Sequence, residues 1–373
     1  MSKAVTRRRF FKTLGAGALV LCVPGFDWDT DAVSHDYLLS ACDDVGGRHF
    51  ITGFSTDGRA RFSLEVPQRM HGMAFNPGAP MQAVFFARRP GTDIYGVDLK
   101  QGSLLQRLAS PPGRHFCGHG CFSADGRYLF TSETDYANNR GIVSVRDGAT
   151  LALLDEFPSH GLDPHEIRLL PDSRTLVVAN GGILTHPDRP GVNLDPQAMQ
   201  PSLVYLDTAS GNLLDEFRLA ERQLSIRHID VNVAGVVAVS LQYEGEKSGA
   251  IPLLASHAGE SSLQLFAEEA CDWRRWNYYT GSVKFNPEGK VAAVSSPRGN
   301  CLAFWDIQQK KMLTIHPIYD VCGIAYDARR RHFIVTTGAG GVHFFDNSGD
   351  EIPGPRISGL TDVRWDNHLL AIS

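Results

Sequence analysis

Seven times between residues 75 and 367 the chain turns a tight corner out of a short apolar run. The corners are Phe75-Asn-Pro-Gly78, Phe122-Ser-Ala-Asp-Gly126, Leu169-Leu-Pro-Asp-Ser173, Val231-Asn-Val-Ala-Gly235, Phe285-Asn-Pro-Glu-Gly289, Tyr326-Asp-Ala-Arg-Arg330 and a shortened Val363-Arg-Trp-Asp-Asn367. Asn, Asp, Pro and Gly preset or tolerate the dihedrals a hairpin turn needs, so apolar runs joined by them read as paired strands. The corners recur roughly every 40 to 60 residues, the period of a four-stranded propeller blade of the WD40 or YVTN kind.

The residues between corners fit that unit. Second strands are near-continuous apolar runs, such as Ala83-Val-Phe-Phe-Ala87 and Thr175-Leu-Val-Val-Ala179, as expected of strands covered on both faces. Third strands end in a recurrent Asp, at Asp98, Asp147, Asp207, Asp306 and Asp346. The seventh copy stops at Leu369-Leu-Ala-Ile372, taken as a second strand, while residues 37–66 supply strand-like runs with no corner of their own. The expected fold is all-β: a seven-bladed β-propeller closed by pairing of the N-terminal strands with the C-terminal blade, which removes exposed sheet edges. One domain is expected over residues 31–373.

Residues 1–30 read as an export signal and linker. Thr6-Arg-Arg-Arg-Phe-Phe-Lys12 precedes a modest apolar run from Leu14 to Val23, the twin-arginine pattern for passage of a folded protein to the periplasm. Leu19-Val20-Leu21 lacks the small residues that a lipobox at Cys22 requires. The run is too short to span a bilayer, and no other stretch is apolar enough to do so. The formal charge is −5, and a removed leader would take Lys3, Arg7, Arg8, Arg9 and Lys12 with it. So acidic a mature chain is a poor partner for nucleic acid or an anionic membrane. A monomer is expected. Six cysteines follow Cys22, and their spacing neither selects a disulfide pattern nor forms a zinc ribbon.

Counting back from each corner locates the residues at the channel mouth. Three positions before it stand Gly72, His119, Glu166, His228, Ser282 and Gly323, with Asp362 or a neighbour in the seventh copy. His119, Glu166 and His228 on successive blades form a ligand set for a divalent transition metal, iron(II) among others. His71, His165 and Arg227 stand one position earlier. Because one step along a regular strand reverses the side chain, His71 and His165 are expected to point away from the first set. Glu133, Asp135 and Asn180 end second strands on the same face and could orient the ligands. Three readings stand side by side for these histidines: bonds between neighbouring blade loops, a bound metal, and acid-base or substrate-binding work.

Cys117 and Cys121 flank His119, with His115 two residues before Cys117. In an extended strand these four would share a face and suit copper or zinc; a disulfide or two buried thiols are the alternatives. Two inserts, Gly181–Pro201 with His186 and Gln242–Glu260 with His257, are expected to overhang the channel mouth as binding loops. Trp273-Arg-Arg-Trp276-Asn-Tyr-Tyr279 reads as blade packing or a partner patch. There is no phosphate loop, dinucleotide fingerprint or Gly-x-Ser-x-Gly elbow in the required setting.

Several phrases carry a resemblance: Phe116-Cys-Gly-His-Gly120, Pro164-His-Glu-Ile167, Val178-Ala-Asn-Gly-Gly-Ile183 with Thr185-His-Pro187, Pro201-Ser-Leu-Val-Tyr-Leu-Asp207, Ser225-Ile-Arg-His228 and Ser295-Ser-Pro-Arg298. They resemble a bacterial family of twin-arginine-exported propellers with no assigned function, and more loosely the lactonase-like and surface-layer-like propellers. Cys121 departs from that pattern. The resemblance implies a setting beside imelysin-type proteins and di-haem oxidoreductases in iron-responsive clusters, hence periplasmic partner proteins of an iron-acquisition system. It supplies no catalytic residue. Two functions are expected to compete: a binding or accessory propeller in iron or copper acquisition, and a metal-dependent enzyme, a lactonase-like hydrolase or an oxidoreductase, with its site in the channel.

Overall fold

A computed structural model describes residues 36–268, 271–360 and 362–372. The leader assigned to residues 1–30, with Cys22, lies outside them. Seven antiparallel sheets stand around one axis as the blades of a β-propeller. From the axis outward, blade 1 runs Met70–Phe75, Gln82–Ala87, Asp93–Asp98 and Ser103–Ala109. Blades 2 to 6 open with first strands Arg114–Phe122, Pro164–Leu169, Leu224–Val231, Val283–Phe285 and Val321–Asp327. These first strands lie against one another around the axis. Among the described residues no helix is long and apolar enough to cross a membrane.

Each sheet buries both faces because each has a neighbour on either side. Leu176, Val177, Val178 and Ala179 of one second strand are fully buried, whereas the outermost Leu153–Pro158 is largely exposed. The core is accordingly a ring of interblade clusters. One joins Phe130 and Val143 of blade 2 to Ile167 and Val204 of blade 3. Another joins Phe304 of blade 5 to Ile324 and Phe333 of blade 6. The largest spans blades 3, 4 and 5, where Trp273 stacks on Trp305 with ring centres 5.4 Å apart. The Trp273–Trp276 segment is therefore interblade packing, with both tryptophans buried. Trp305→Ala should cost about 3–5 kcal/mol, the usual toll of emptying a buried aromatic site, read as a lower midpoint in denaturant melts.

The closing blade differs from its expected division. The far end of the sequence supplies only the innermost strand, in two pieces, Val363–Trp365 and Leu370–Ile372, both paired with Tyr37–Asp44. His49–Ser55 and Ala60–Val66 complete the sheet. Three strands thus come from one end of the chain and one from the other. Val363–Asn367, read as a hairpin corner, instead begins that strand, and residues 366–369 form a bulge inside it, opposite Ser40 and Ala41. The insert Gln242–Glu260 also resolves differently: Leu254–His257 is the third strand of blade 4, leaving a shorter loop before it.

Candidate metal centre on the channel axis

The first strands are not regular where they reach the channel mouth. In blade 1, Met70 pairs with Ala87 and Met73 with Phe85, so His71 and Gly72 together oppose one residue. In blade 2, Cys117, Gly118 and His119 share the space opposite Ser132. His165 is the extra residue of blade 3, and Arg227 with His228 bulges from blade 4. Bulges re-aim side chains out of strict alternation, and here they correct the expected exclusion of His71 and His165. Gly118 makes one bulge possible: its φ is +95°, and a Cβ there would stand 2.7 Å from His71 Cδ2.

As a result five imidazoles converge on the axis: His71, His119, His165, His228 and His368. Taken in chain order and back to the start, neighbouring ring centres are 4.9, 4.8, 4.6, 4.7 and 4.5 Å apart. Their nitrogens make three overlapping groupings compact enough for one ion: His71, His228 and His368; His71, His119 and His165; and His119, Glu166 and His228. His119 Nε2 lies 2.9 Å from His368 Nε2, and His165 Nε2 lies 3.4 Å from His228 Nε2. Two nitrogens each about 2.1 Å from one metal, at angles of about 90–110°, stand about 3.0–3.4 Å apart. The spacing fits a shared ion.

Two carboxylates stand behind the ring. Asp366 Oδ1 accepts from His71 Nδ1 at 2.5 Å, which leaves Nε2 of that ring unprotonated. Arg69 holds the other oxygen of Asp366 at 2.7 Å. Glu166 Oε1 meets Arg168 at 2.6 Å, while Oε2 accepts the Ile229 N–H at 2.9 Å and lies 3.4 Å from His228 Nδ1. His71 and Asp366 thus form the carboxylate–histidine arrangement that orients metal ligands, whereas Glu166 stands close to His228 without a hydrogen bond to it.

Burial decides the charge states. It lowers the pKa of His71 to about 4 and that of His119, His165 and His368 well below the ordinary imidazole value, with His228 lowered in the same direction. Burial works against ionisation of Glu166 too, but Arg168 and His228 outweigh it and hold that carboxyl well below its usual range. His71, Arg88 and Arg69 do the same for Asp366. Five neutral imidazoles thus face one another with two carboxylates behind. One Nε2 proton makes each close contact an N–H···N hydrogen bond; with the protons on the Nδ1 atoms instead, as metal ligation requires, the Nε2 lone pairs oppose one another. A cation between the Nε2 atoms removes that conflict.

The two ends of the channel differ. On the face where second strands end, Asp163 bonds Arg227 at 2.7 Å and also Arg89, and Asn367 reaches the Tyr279 hydroxyl at 3.1 Å. These contacts cross blades and cover the histidines on that side. Below them a chamber of about 190 Å³ extends along the first strands toward the other face, with His119, Glu166, His228 and His368 at its head. No residue of either insert lines this chamber. His186, on the first insert, stands near Tyr136 and Asp188 rather than on the axis.

Other sequence-predicted residues serve the scaffold. Glu133 pairs with Arg146 at 2.7 Å, Asp135 with Arg140 at 2.8 Å, and Asn180 donates to Ser159 O at 2.8 Å; none of the three orients an axial imidazole. Cys117 Sγ contacts Thr134 Oγ1 at 3.2 Å, and Cys121 packs toward the cluster between blades 2 and 3. The bulge sends them apart, so the copper or zinc set with His115 and His119 does not assemble. Burial pushes both thiols up to about 12, and all six described cysteines are free. Sequence reasoning missed His368, Asp366, Arg168 and Asp163. A histidine three residues past Trp365 was the available signal, masked by reading Asp366-Asn367 as a turn.

A seven-bladed β-propeller with a histidine-lined axis is the class that fold and site define. The chain belongs to the DUF1513 family, proteins of unknown function, with the match covering residues 64–372. No curated protein matches it.

Proposed function

We propose that this propeller holds one divalent transition metal, iron or copper, on its axis and serves as a periplasmic binding or accessory protein in acquisition of that metal. The observation that carries the reading is the convergence of five neutral imidazoles, two of their Nε2 contacts at 2.9 and 3.4 Å. An all-imidazole set suits iron and copper, as well as zinc, and contains no thiolate that would select zinc or copper(I). The Thr6–Lys12 motif supports export in the folded state, and the acidic chain supports protein rather than nucleic-acid partners. A second reading, a metal-dependent hydrolase or oxidoreductase, is favoured by the chamber that meets His119, His228 and His368.

Elemental analysis of protein purified from its native compartment, followed by titration of chelator-treated protein with iron(II) and copper(II), tests the metal. About one ion per chain is expected, from one cluster of ligands. A protein that carries none and takes up none sinks both readings. Affinity capture from periplasm under iron limitation separates them: a recovered partner supports the accessory role, and its absence favours the enzyme.

A further inference from the structure

The chamber below the histidines has a composition of its own. Arg168 and Lys284 both line it, and the side chain of each is about one-third exposed (33%). Each cation has one carboxylate partner: Glu166 for Arg168 at 2.6 Å, and Asp230 for Lys284 at 3.0 Å. Neither partner exhausts its donors. A guanidinium carries five N–H groups and an ammonium three; Arg168 otherwise makes only a long bond from Nε to Ile229 O at 3.4 Å. Donors are therefore left over in the chamber. Gly72, Gly120, Ala325 and Ala371 add small residues to the wall, while Met73, Val283 and Ile324 pack into the clusters between blades. A volume of about 190 Å³ is well above what a single water needs and admits a short organic acid.

Charge counting then selects the ligand. The two cations and their two carboxylates cancel, so this set brings no excess of either sign without a metal. A divalent ion at its head adds two positive charges beside donors that are already in place. We infer that the metal-loaded chamber binds a small monocarboxylate. Its carboxylate reaches the metal on the side of His119, His228 and His368 and accepts hydrogen bonds from Arg168 and Lys284. The inference rests on the axial metal and adds the class of molecule that this centre takes. Arg168 and Lys284 are its specificity determinants, selecting an anion over the neutral isostere.

Cobalt(II)-loaded protein titrated with propionate, followed by the visible ligand-field bands, tests it, with propionamide as the neutral isostere. The bands should shift saturably with propionate and remain unchanged with propionamide. Lys284→Gln should weaken the propionate response at least about tenfold, the usual scale for one charge-assisted hydrogen bond. Should that variant fold poorly, the propionate–propionamide contrast in the wild-type protein decides alone. Bound cobalt whose bands ignore propionate, or answer equally to propionamide, overturns this inference and leaves the metal reading standing. Failure of cobalt, iron(II) and copper(II) alike to bind overturns both.

Discussion

The His119→Ala/His228→Ala double variant is expected to lose the axial metal while keeping the propeller folded. Every grouping compact enough for one ion contains His119 or His228, and one contains both. Loss of a mere orienting partner costs a metal site about 10–100-fold in affinity, so removal of two direct ligands should cost at least about 10³-fold. The fold has less at stake. The Nδ1 atoms of both residues are buried without a hydrogen-bond partner, and deleting such an atom relieves about 1–3 kcal/mol of desolvation that offsets part of the lost packing. Metal analysis and thermal melts of the two proteins side by side check both halves. Unchanged metal content would move the site elsewhere. A collapsed fold with no metal in the parent would assign these histidines to interblade bonding alone.

The second large effect concerns acid. In the metal-free protein the folded-state pKa of His71 is lowered to about 4, against about 6.5 in an unfolded chain. Between those values the unfolded state binds a proton that the folded state does not, so stability rises with pH and is lost as pH falls below about 6.5. At pH 5 His71 alone should cost about 2 kcal/mol. His119, His165, His228 and His368 are shifted in the same direction and add to the loss. Glu166 and Asp366 have the opposite sense: lowered in the fold, they stabilise above the unfolded carboxylate pKa and lose that contribution only in stronger acid. Melting temperatures of chelator-treated protein should therefore drop progressively from pH 7 to pH 5. Metal-loaded protein should hold its midpoint further into that range, because the ion occupies the lone pairs that protons need. Equal, flat profiles for both forms would contradict the assignment.

The blades were legible in sequence because their signals are local. A corner such as Phe122-Ser-Ala-Asp-Gly126 contains the turn chemistry and both strand ends within a few residues, and apolar second strands follow from burial on two faces. His119, Glu166 and His228 could be aligned because each stands at a fixed distance from such a corner. Two things were not local. The bulges that bring His71 and His165 inward depend on how many residues face one partner across the sheet, and only Gly118, with its positive φ, leaves a trace in the chain. The closing strand depends on pairing with Tyr37–Asp44, so Trp365-Asp-Asn-His368 could pass for a turn. That misreading removed Asp366 and His368 from the site and sent the search for orienting carboxylates to Glu133 and Asp135, which are occupied by Arg146 and Arg140.

The one-and-three division of the closing blade has a consequence for timing. His71 and Asp366 touch although 295 positions separate them in sequence, and the strand carrying His368 takes its sheet pairing from Tyr37–Asp44, at the other end of the chain. Contacts of such long range form late, after the entropy of closing the loop has been met. A chain with six blades built and the seventh unsealed presents at most His71, His119, His165 and His228, without the carboxylate that sets the tautomer of His71. On the proposed metal reading, full-strength capture of an ion would mark a finished molecule, and the rate at which metal is taken up during refolding would clock the sealing of the ring.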